Sequence, residues 1–374
     1  MNSFNPRYHR QVILPEIGIS GQKKLDNAKV LVIGAGGLGC PILQYLVAAG
    51  IGTIGIIDFD IVDVSNLHRQ ILYGKSSLGE NKALAAKKRL EDLNSDITIH
   101  AYPEKLTTKN ALTLFSDYDI VVDGSDNFST RYLVNDACII TNKPLVYGAI
   151  FKFEGQVAIF NYQNGPSYRC LFPEPPKEGS VPSCSEIGVL GVLPGIIGSM
   201  QANEVLKIIL ELDTSLSRKL MTYNCLTTQS VSFNINRVDT EITKVLEAAP
   251  HFENHDYDLF CGLQNIKEIS AEDAFSIKTA QFIDVRESHE QPKIEKLNPL
   301  SIPLGQLQNE LNTLDPEKEI IVFCQSGIRS KKAIEILLKH SFINVSHIKG
   351  GAVALNNALP DFKAVDNHSS YLKN

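Results

Sequence analysis

Two stretches of this chain place charged or nucleophilic side chains at the end of a short apolar run. In the first, Val30-Leu31-Val32-Ile33 leads into Gly34-Ala35-Gly36-Gly37-Leu38-Gly39, and a later run, Ile54-Gly55-Ile56-Ile57, ends on Asp58. Glycines at such a turn let backbone N–H groups approach a phosphate closely, at a helix start whose dipole favours an anion. An acid about 20 residues further on can bind a ribose hydroxyl. The glycine pattern alone is shared by NAD and FAD sites and by ordinary tight turns. The residues beyond it point to ATP: Asp58, Asp60, Asn66, His68 and Arg69 pack acid, amide and cation into twelve residues. ATP chemistry uses such a set, a carboxylate to hold Mg²⁺ and a cation to offset phosphate charge.

In the second stretch, Ile320-Ile321-Val322-Phe323 ends in Cys324-Gln325-Ser326-Gly327-Ile328-Arg329-Ser330. A cysteine on a loop leading into a helix N-terminus has its thiolate stabilised by backbone N–H groups and by the dipole. Arg329 adds positive charge. Four residues, 325–328, separate the thiol from the arginine. That ring is tighter than the phosphatase cradle and suits sulfur carried as a persulfide better than a transferred phosphate.

The elements that must position these groups alternate between strand and helix. After the strand at 30–33 come a helix from Leu38 to Ala49, the strand at 54–57, the polar loop Ser65–Gln70 and a helix over Gly79–Asn94. Lys82, in the first turn of that helix, opposes its dipole, which suggests an anion nearby. Ile97–Ala101 and Ile120–Val122 read as strands around a helix at Lys109–Phe115. The second of them runs into Asp123-Gly124-Ser125-Asp126-Asn127 and a helix over 128–141. Ligands of open α/β sheets sit beyond the carboxyl ends of the strands, so three polar strand ends imply one crevice. Asp126 could alternatively cap its helix.

Leu145–Ala149 reads as a buried strand and Gly155–Phe160 as an antiparallel one. A Pro/Gly-rich crossing, Pro173–Pro182, ends in Ser183-Cys184-Ser185. The apolar run Gly188–Gly198 then feeds a helix over Ser199–Leu212, and Lys219–Tyr223 and Ser230–Ile235 close the sheet. By spacing alone, Cys184 is inert packing and Arg10 a solvated cation. The acidic, His-containing stretch Glu247–Asp258 reads as a linker. The expected organisation is a nucleotide-binding domain over 1–245, a linker over 246–264 and a smaller α/β domain over 265–374.

At 374 residues, with 43% hydrophobic and 21% charged content, the chain can build two cores. A net charge of -6 gives no footprint for nucleic acid. No apolar run reaches the roughly 18 residues of a membrane span, and the polar start does not read as a signal peptide. Seven cysteines, at 40, 138, 170, 184, 225, 261 and 324, are odd in number and widely spaced. That pattern suggests reduced thiols in a cytoplasm.

The motifs Arg10-Gln11, GAGGLGC (34–40), IIDFD (56–60), SNLHRQ (65–70), DGSDNFSTR (123–131), YRCLFPEPP (168–176), PSCSEIGVLG (182–191), DVRE (284–287) and CQSGIRS (324–330) stand in this order. Together they resemble the MoeB/ThiF-type adenylyltransferases, relatives of the ubiquitin-activating enzymes. The closer likeness is to the two-domain, MoeZ-like forms with a C-terminal rhodanese domain. The resemblance implies an α/β fold: a Rossmann-like ThiF/ubiquitin-activating-type adenylation domain followed by a smaller rhodanese-like domain.

It also implies roles. ATP would be held by Gly34, Gly36, Gly37, Gly39, Asp58, Asp60, the loop Ser65, Asn66, Leu67, His68 and Arg69, and by Lys82, Asp126 and Asn127. Asp126 matches the essential acid, a Mg²⁺ ligand or its positioner. Arg10 matches an arginine reaching into the partner subunit of a homodimer, which reverses the bland reading above. Cys184 matches a cysteine forming a thioester or a disulfide, and Cys324, beside Arg329, matches the persulfide-bearing nucleophile. The implied partners are a ubiquitin-like sulfur carrier ending in Gly-Gly, for molybdopterin, thiamine or tRNA thiolation, and a sulfur donor such as a cysteine desulfurase.

One departure stands out. Many relatives hold structural zinc with two C-x-x-C pairs, and here Ser167 replaces the first cysteine before Cys170, while 237–247 contains none. Four thiolates cannot be assembled locally, so no zinc is expected. The competing readings are an NAD-binding oxidoreductase, a non-catalytic carrier-binding scaffold, and activation of a ubiquitin-like protein for conjugation. The first leaves Asn66, Arg69 and Asp126 without tasks, the second does not need Cys324, and the fused persulfide loop argues against the third.

Overall fold

Runs of Val, Ile and Leu without alternation are buried on both faces, and they form the centre of the larger sheet. The computed structural model describes residues 5–176, 188–213, 215–262, 266–340 and 342–358. The chain divides into two units, Met1–Leu263 and Gln264–Asn374. In the first, strands β1 (Lys29–Ile33), β2 (Thr53–Ile57), β3 (Thr98–Tyr102), β4 (Ile120–Asp123), β5 (Leu145–Phe151), β6 (Glu154–Phe160), β7 (Lys219–Asn224) and β8 (Gln229–Asn234) form one sheet in the order β3-β2-β1-β4-β5-β6-β7-β8. The pairs from β3 through β5 are parallel and those from β5 through β8 antiparallel.

The chain moves outward from β1 in both directions, so β1 and β4 flank the topological switch point where such sheets bind ligands. Alternation along β1 serves two cores at once. Val30 and Val32 pack with Leu43, Leu46, Ile54 and Ile56, whereas Leu31 and Ile33 pack with Phe115, Tyr118 and Tyr132 on the other face.

Helices α1 (Gly18–Asn27), α2 (Gly39–Ala49), α3 (Lys82–Leu93), α4 (Thr108–Ser116), α5 (Phe128–Ile140), α6 (Val192–Ile209) and α7 (Asp239–Ala248) complete the unit. The later part of the run expected to lead into a helix at Ser199, residues 192–198, is itself the first two turns of α6. Leu193, Ile197, Gln201, Val205 and Ile208 recur at helical spacing on its buried face, and Pro194 falls in the first turn, where no N–H is needed.

Within the stretch 246–264, expected as a linker, residues 246–262 instead continue the first unit. Ala249–Asn254 is a 3-10 segment and Tyr257–Phe260 a helical turn, and Phe252 and Tyr257 are buried. Acidic residues and histidines suggested a linker, but the interspersed aromatics anchor the segment. The Tyr257 hydroxyl donates to Asp136 Oδ2 (2.8 Å), and Arg169 donates to both oxygens of the same carboxylate at 2.7 Å.

The second unit is a parallel sheet of order β11-β10-β12-β13-β9, built from β9 (Lys267–Ile269), β10 (Gln281–Asp284), β11 (Leu300–Ser301), β12 (Ile320–Phe323) and β13 (Val345–Ile348). Helices α8 (Ala271–Ser276), α9 (Ile328–Lys339) and α10 (Gly351–Ala358) cover it. Among the described residues, no helix is long and apolar enough to cross a membrane.

Asp136→Ala leaves the largely buried Arg169 guanidinium without its counter-charge. Chemical denaturation should show a loss of about 3–5 kcal/mol, against about 1 kcal/mol for Tyr257→Phe.

Candidate functional site

The glycine turn is shaped by three backbone approaches. Gly34 has φ +87°, in the left-handed region that favours glycine. At Gly39 an added Cβ would lie 2.0 Å from the Gly34 carbonyl oxygen, so only glycine lets α2 start this close to β1. The Gly34 N–H bonds to Ile57 O (2.9 Å) and the Gly124 N–H to Ile33 O (2.8 Å), which joins the ends of β2, β1 and β4. The three polar strand ends read from the sequence therefore meet in one place.

Asp58 braces that turn. Its Oδ2 accepts from the Ala35 N–H (2.8 Å) and its Oδ1 from the Asp60 N–H (2.9 Å), leaving a further lone pair on each oxygen. Burial pushes its pKa up, against the pull of these bonds and of Lys82. Lys82 is buried at the head of α3, and its ammonium meets Asp60 at 2.9 Å. The misfit with the helix dipole is thus met by a carboxylate of the chain itself. Asn81, not Lys82, caps α3.

Loop 65–70 is held by its own bonds. Arg69 donates to Ser65 O (3.1 Å), His68 Nδ1 lies 3.0 Å from the same oxygen, and Gln70 donates to Asn66 Oδ1 (2.8 Å). Leu67 packs against the core, and Arg69 Cγ comes within 3.7 Å of a Cβ built on Gly37, so its cation stands beside the turn.

On the other side, Asn127 caps α5 by accepting from the Thr130 N–H (2.9 Å), which releases Asp126 from the capping role considered for it. Asp126 is exposed, and its carboxylate pairs with no cation among the described residues. Arg10 is exposed in the helical turn His9–Val12. Cys184 lies outside the described residues.

Residues to which the sequence reading gave no individual role line the same strand end. Asp123 Oδ2, Ser125 Oγ, Arg131 Nε and Gln201 Oε1 are buried without a hydrogen-bond partner among the described residues. Burial raises the Asp123 pKa, against the charge of Arg131. Buried polar atoms are almost always satisfied, so these atoms call for water or another polar partner. Arg131 closes the motif 123–131, which was its available signal. Gln201 sits within an apolar helix and had none.

At Cys170, Sγ accepts from the Val238 N–H (3.2 Å) and the Ser167 N–H (3.3 Å). Among the described residues, no group of three or more His, Cys, Asp or Glu is placed to hold a metal ion.

In the second unit, Cys324 Sγ accepts from the Gly327 N–H at 3.1 Å, at the head of α9. Burial pushes its pKa up, but hydrogen bonds from Ser330, Ser326 and Gly327 outweigh it, and the thiol falls below its ordinary value. Other thiols go the opposite way: burial pushes Cys40 up to about 12 and Cys261 up to about 11. Arg329 is not a bare positive charge, since both its terminal nitrogens lie 2.6 Å from Glu290. That bond holds the Glu290 carboxyl down at about 2.

Fold and sites together define a class, adenylylating enzymes of the Rossmann-like ThiF/ubiquitin-activating type with a sulfurtransferase domain next in the chain. The ThiF family model matches residues 8–243 and the rhodanese-like domain model residues 268–358. The sulfur carrier protein adenylyltransferase of Thermus thermophilus is 51% identical over 263 residues, 69% of this chain and 97% of that protein. The probable adenylyltransferase/sulfurtransferase MoeZ of Mycobacterium tuberculosis is 38% identical over 367 residues, 93% of this chain and 92% of that one. The crystal structure of E. coli MccB with AMPCPP and selenomethionine MccA superposes with a TM-score of 0.56 at 25% identity, covering 63% of this chain and 73% of MccB. The chain belongs to the ThiF family, in a form that carries a rhodanese-like domain.

The Glu290–Arg329 pair has a signed pH dependence. Glu290 is depressed from an ordinary 4.5 to about 2, so its contribution to stability is present above the ordinary value and is lost as pH falls through the depressed one. Thermal melts of the wild type should lose an increment between those pH values that Glu290→Gln does not lose.

Proposed function

We propose that this chain adenylylates the C-terminal glycine of a ubiquitin-like sulfur-carrier protein and then converts it to a thiocarboxylate with sulfur held on Cys324. The observation that carries the first half is the junction of three strand ends at the switch point, where Gly34, Asp58 and Gly124 adjoin. MccB, a structural neighbour, is known with AMPCPP and MccA. ATP and a carrier protein take those places here.

A carboxylate is a poor acylating group, because its leaving group would be oxide. Attack of the carrier's carboxylate oxygen on the α-phosphorus of ATP forms an O–P bond, breaks the bond to the β-phosphate and releases pyrophosphate. Backbone N–H groups of the glycine turn and α2 receive the phosphates, and Arg69 and Lys82 offset the charge that grows on them. Asn66 and Asp58 orient the nucleotide. Asp126 would hold or position magnesium bound with the nucleotide, which supplies further phosphate neutralisation. Arg10 completes the site from the second subunit of a homodimer.

The acyl-adenylate carbonyl is then open to a sulfur nucleophile. A persulfide on Cys324, loaded by a donor such as a cysteine desulfurase, attacks with its terminal sulfur and expels AMP, leaving an acyl-disulfide. A second thiolate, assigned to Cys184, attacks the Cys324 sulfur, releases the thiocarboxylate and leaves a disulfide for later reduction. Formation of a thioester on Cys184 before sulfur arrives is the other order of the same steps.

Two measurements separate the halves. ATP–pyrophosphate exchange should require a carrier with a Gly-Gly end and fall on the order of 100-fold in Asp126→Ala; undiminished exchange in that variant overturns the assignment. Cys324→Ala should keep exchange but lose the added sulfur atom that intact-mass analysis finds after incubation with a donor.

A further inference from the structure

The loop that carries Cys324 adjoins two arginines, and each is matched by its own carboxylate. Arg329 gives both terminal nitrogens to Glu290 at 2.6 Å, and Arg286 Nη2 donates to Asp284 Oδ2 at 2.7 Å. These four side chains therefore sum to no net charge. Arg329 is the one cation within residues 324–330, and the exposed residues of that loop, Ser326 and Ile328, carry none. The Arg329–Glu290 pair is reachable from solvent, with side chains 34% and 21% exposed.

Glu290 is fixed by more than this pair. Its Oε1 also accepts from the Glu287 N–H (2.9 Å). The segment around it is tied to the cysteine loop: Gln325 donates to Gln291 O (3.1 Å), while Arg286 donates to Gln325 Oε1 and to Pro292 O, both at 2.9 Å. The Glu290 bond holds the Arg329 pKa above its ordinary value against partial burial, and the charges of Glu290, Cys324 and Asp284 add to it. The guanidinium is thus within electrostatic reach of the thiol. Glu290, whose carboxyl is held down at about 2, stays ionised at neutral pH and cancels it.

We propose that Glu290 is a specificity-determining residue, which cancels the Arg329 charge and so keeps small anionic sulfur donors, with thiosulfate as their model, from loading Cys324. This rests on the reading of Cys324 as the sulfur-bearing residue. In loading, the Cys324 thiolate attacks the outer sulfur of the donor. A new S–S bond forms, the donor's own S–S bond breaks, and the leaving group departs with the electron pair, as sulfite when the donor is thiosulfate. Both reactants are negative, so an unmatched cation beside the thiol would draw the dianion in and stabilise the departing sulfite. With Glu290 in place that help is withdrawn. A persulfide presented by a protein is held instead by surface contacts, and Ile328, 62% exposed, offers an apolar one.

The test compares two alkylating agents on the full chain, the anion iodoacetate and the neutral iodoacetamide, read by peptide mass at Cys324. Both react with the same thiolate, so the ratio of their rates cancels any change in the thiol pKa. Glu290→Gln should raise the iodoacetate-to-iodoacetamide ratio about fivefold at low salt. Thiosulfate, a dianion, should gain on the order of 20-fold in kcat/KM with cyanide as acceptor; cyanide removes the outer sulfur as thiocyanate and returns the thiolate. At about 0.5 M salt the gain in the alkylation ratio should shrink to about twofold, which a merely structural effect would not do. The double variant Glu290→Gln/Arg329→Gln should return to within about twofold of the wild type. An unchanged ratio in Glu290→Gln, or a gain that survives the loss of Arg329, overturns the proposal.

Should thermal melts show Glu290→Gln unfolded, Arg329→Gln takes its place. It leaves Glu290 unopposed, so the ratio should fall about fivefold, and no fall is equally fatal. The ratio is read without any sulfur transfer, so its failure would leave the function proposed above standing. Sulfur retained in Cys324→Ala would instead overturn that function, an outcome the ratio does not report.

Discussion

The nucleotide half of this protein depends on one backbone contact, the approach of α2 to the end of β1. With a Cβ at Gly39 only 2.0 Å from the Gly34 carbonyl, the helix would have to move away from the strand. Its N-terminal N–H groups would then leave the space above the β1–β4 junction. Asp58 and Gly124 hold the same turn from β2 and β4. Polar groups from three strands converge because the backbone that carries them is locked at this point.

Both units use the same device, a parallel strand whose loop delivers a group to a helix N-terminus. They fill it differently. In the first unit the turn is made of glycines and the anion arrives with the substrate. In the second the anion is the chain's own thiolate, tied to the Gly327 N–H. In each, a nearby cation is matched by a carboxylate, Lys82 by Asp60 and Arg329 by Glu290. A cation held this way is already oriented, and Lys82 is buried as well.

The region around Cys170 is held by side chains. Asp136 accepts from both Arg169 and Tyr257, and Cys170 accepts from the Val238 backbone at the entry to α7. Two separate segments are bound to one carboxylate. Breaking such a buried set is costly because the partner left behind is a charge with no access to water.

Much of the architecture could be read directly from residue order. The apolar runs of β1, β2, β4 and β12 have no alternation to misread, and glycines and polar residues end each one abruptly. The Cys324 loop was legible because seven consecutive residues carry its chemistry. What residue order could not supply was pairing across the fold. The stretch read as a linker is anchored by Phe252 and Tyr257, and Arg329 looked bare until Glu290 reached it from 39 positions away. His347 and Glu268 are ordinary residues on two strands that only the β13–β9 pairing makes neighbours. Local pattern determines which segments are strand, turn or helix, because those choices rest on propensity and periodicity within a few residues. Which charges are neutralised, and which buried hydroxyl meets which imidazole, is decided by contacts between distant segments, and these exist only after the sheets have formed.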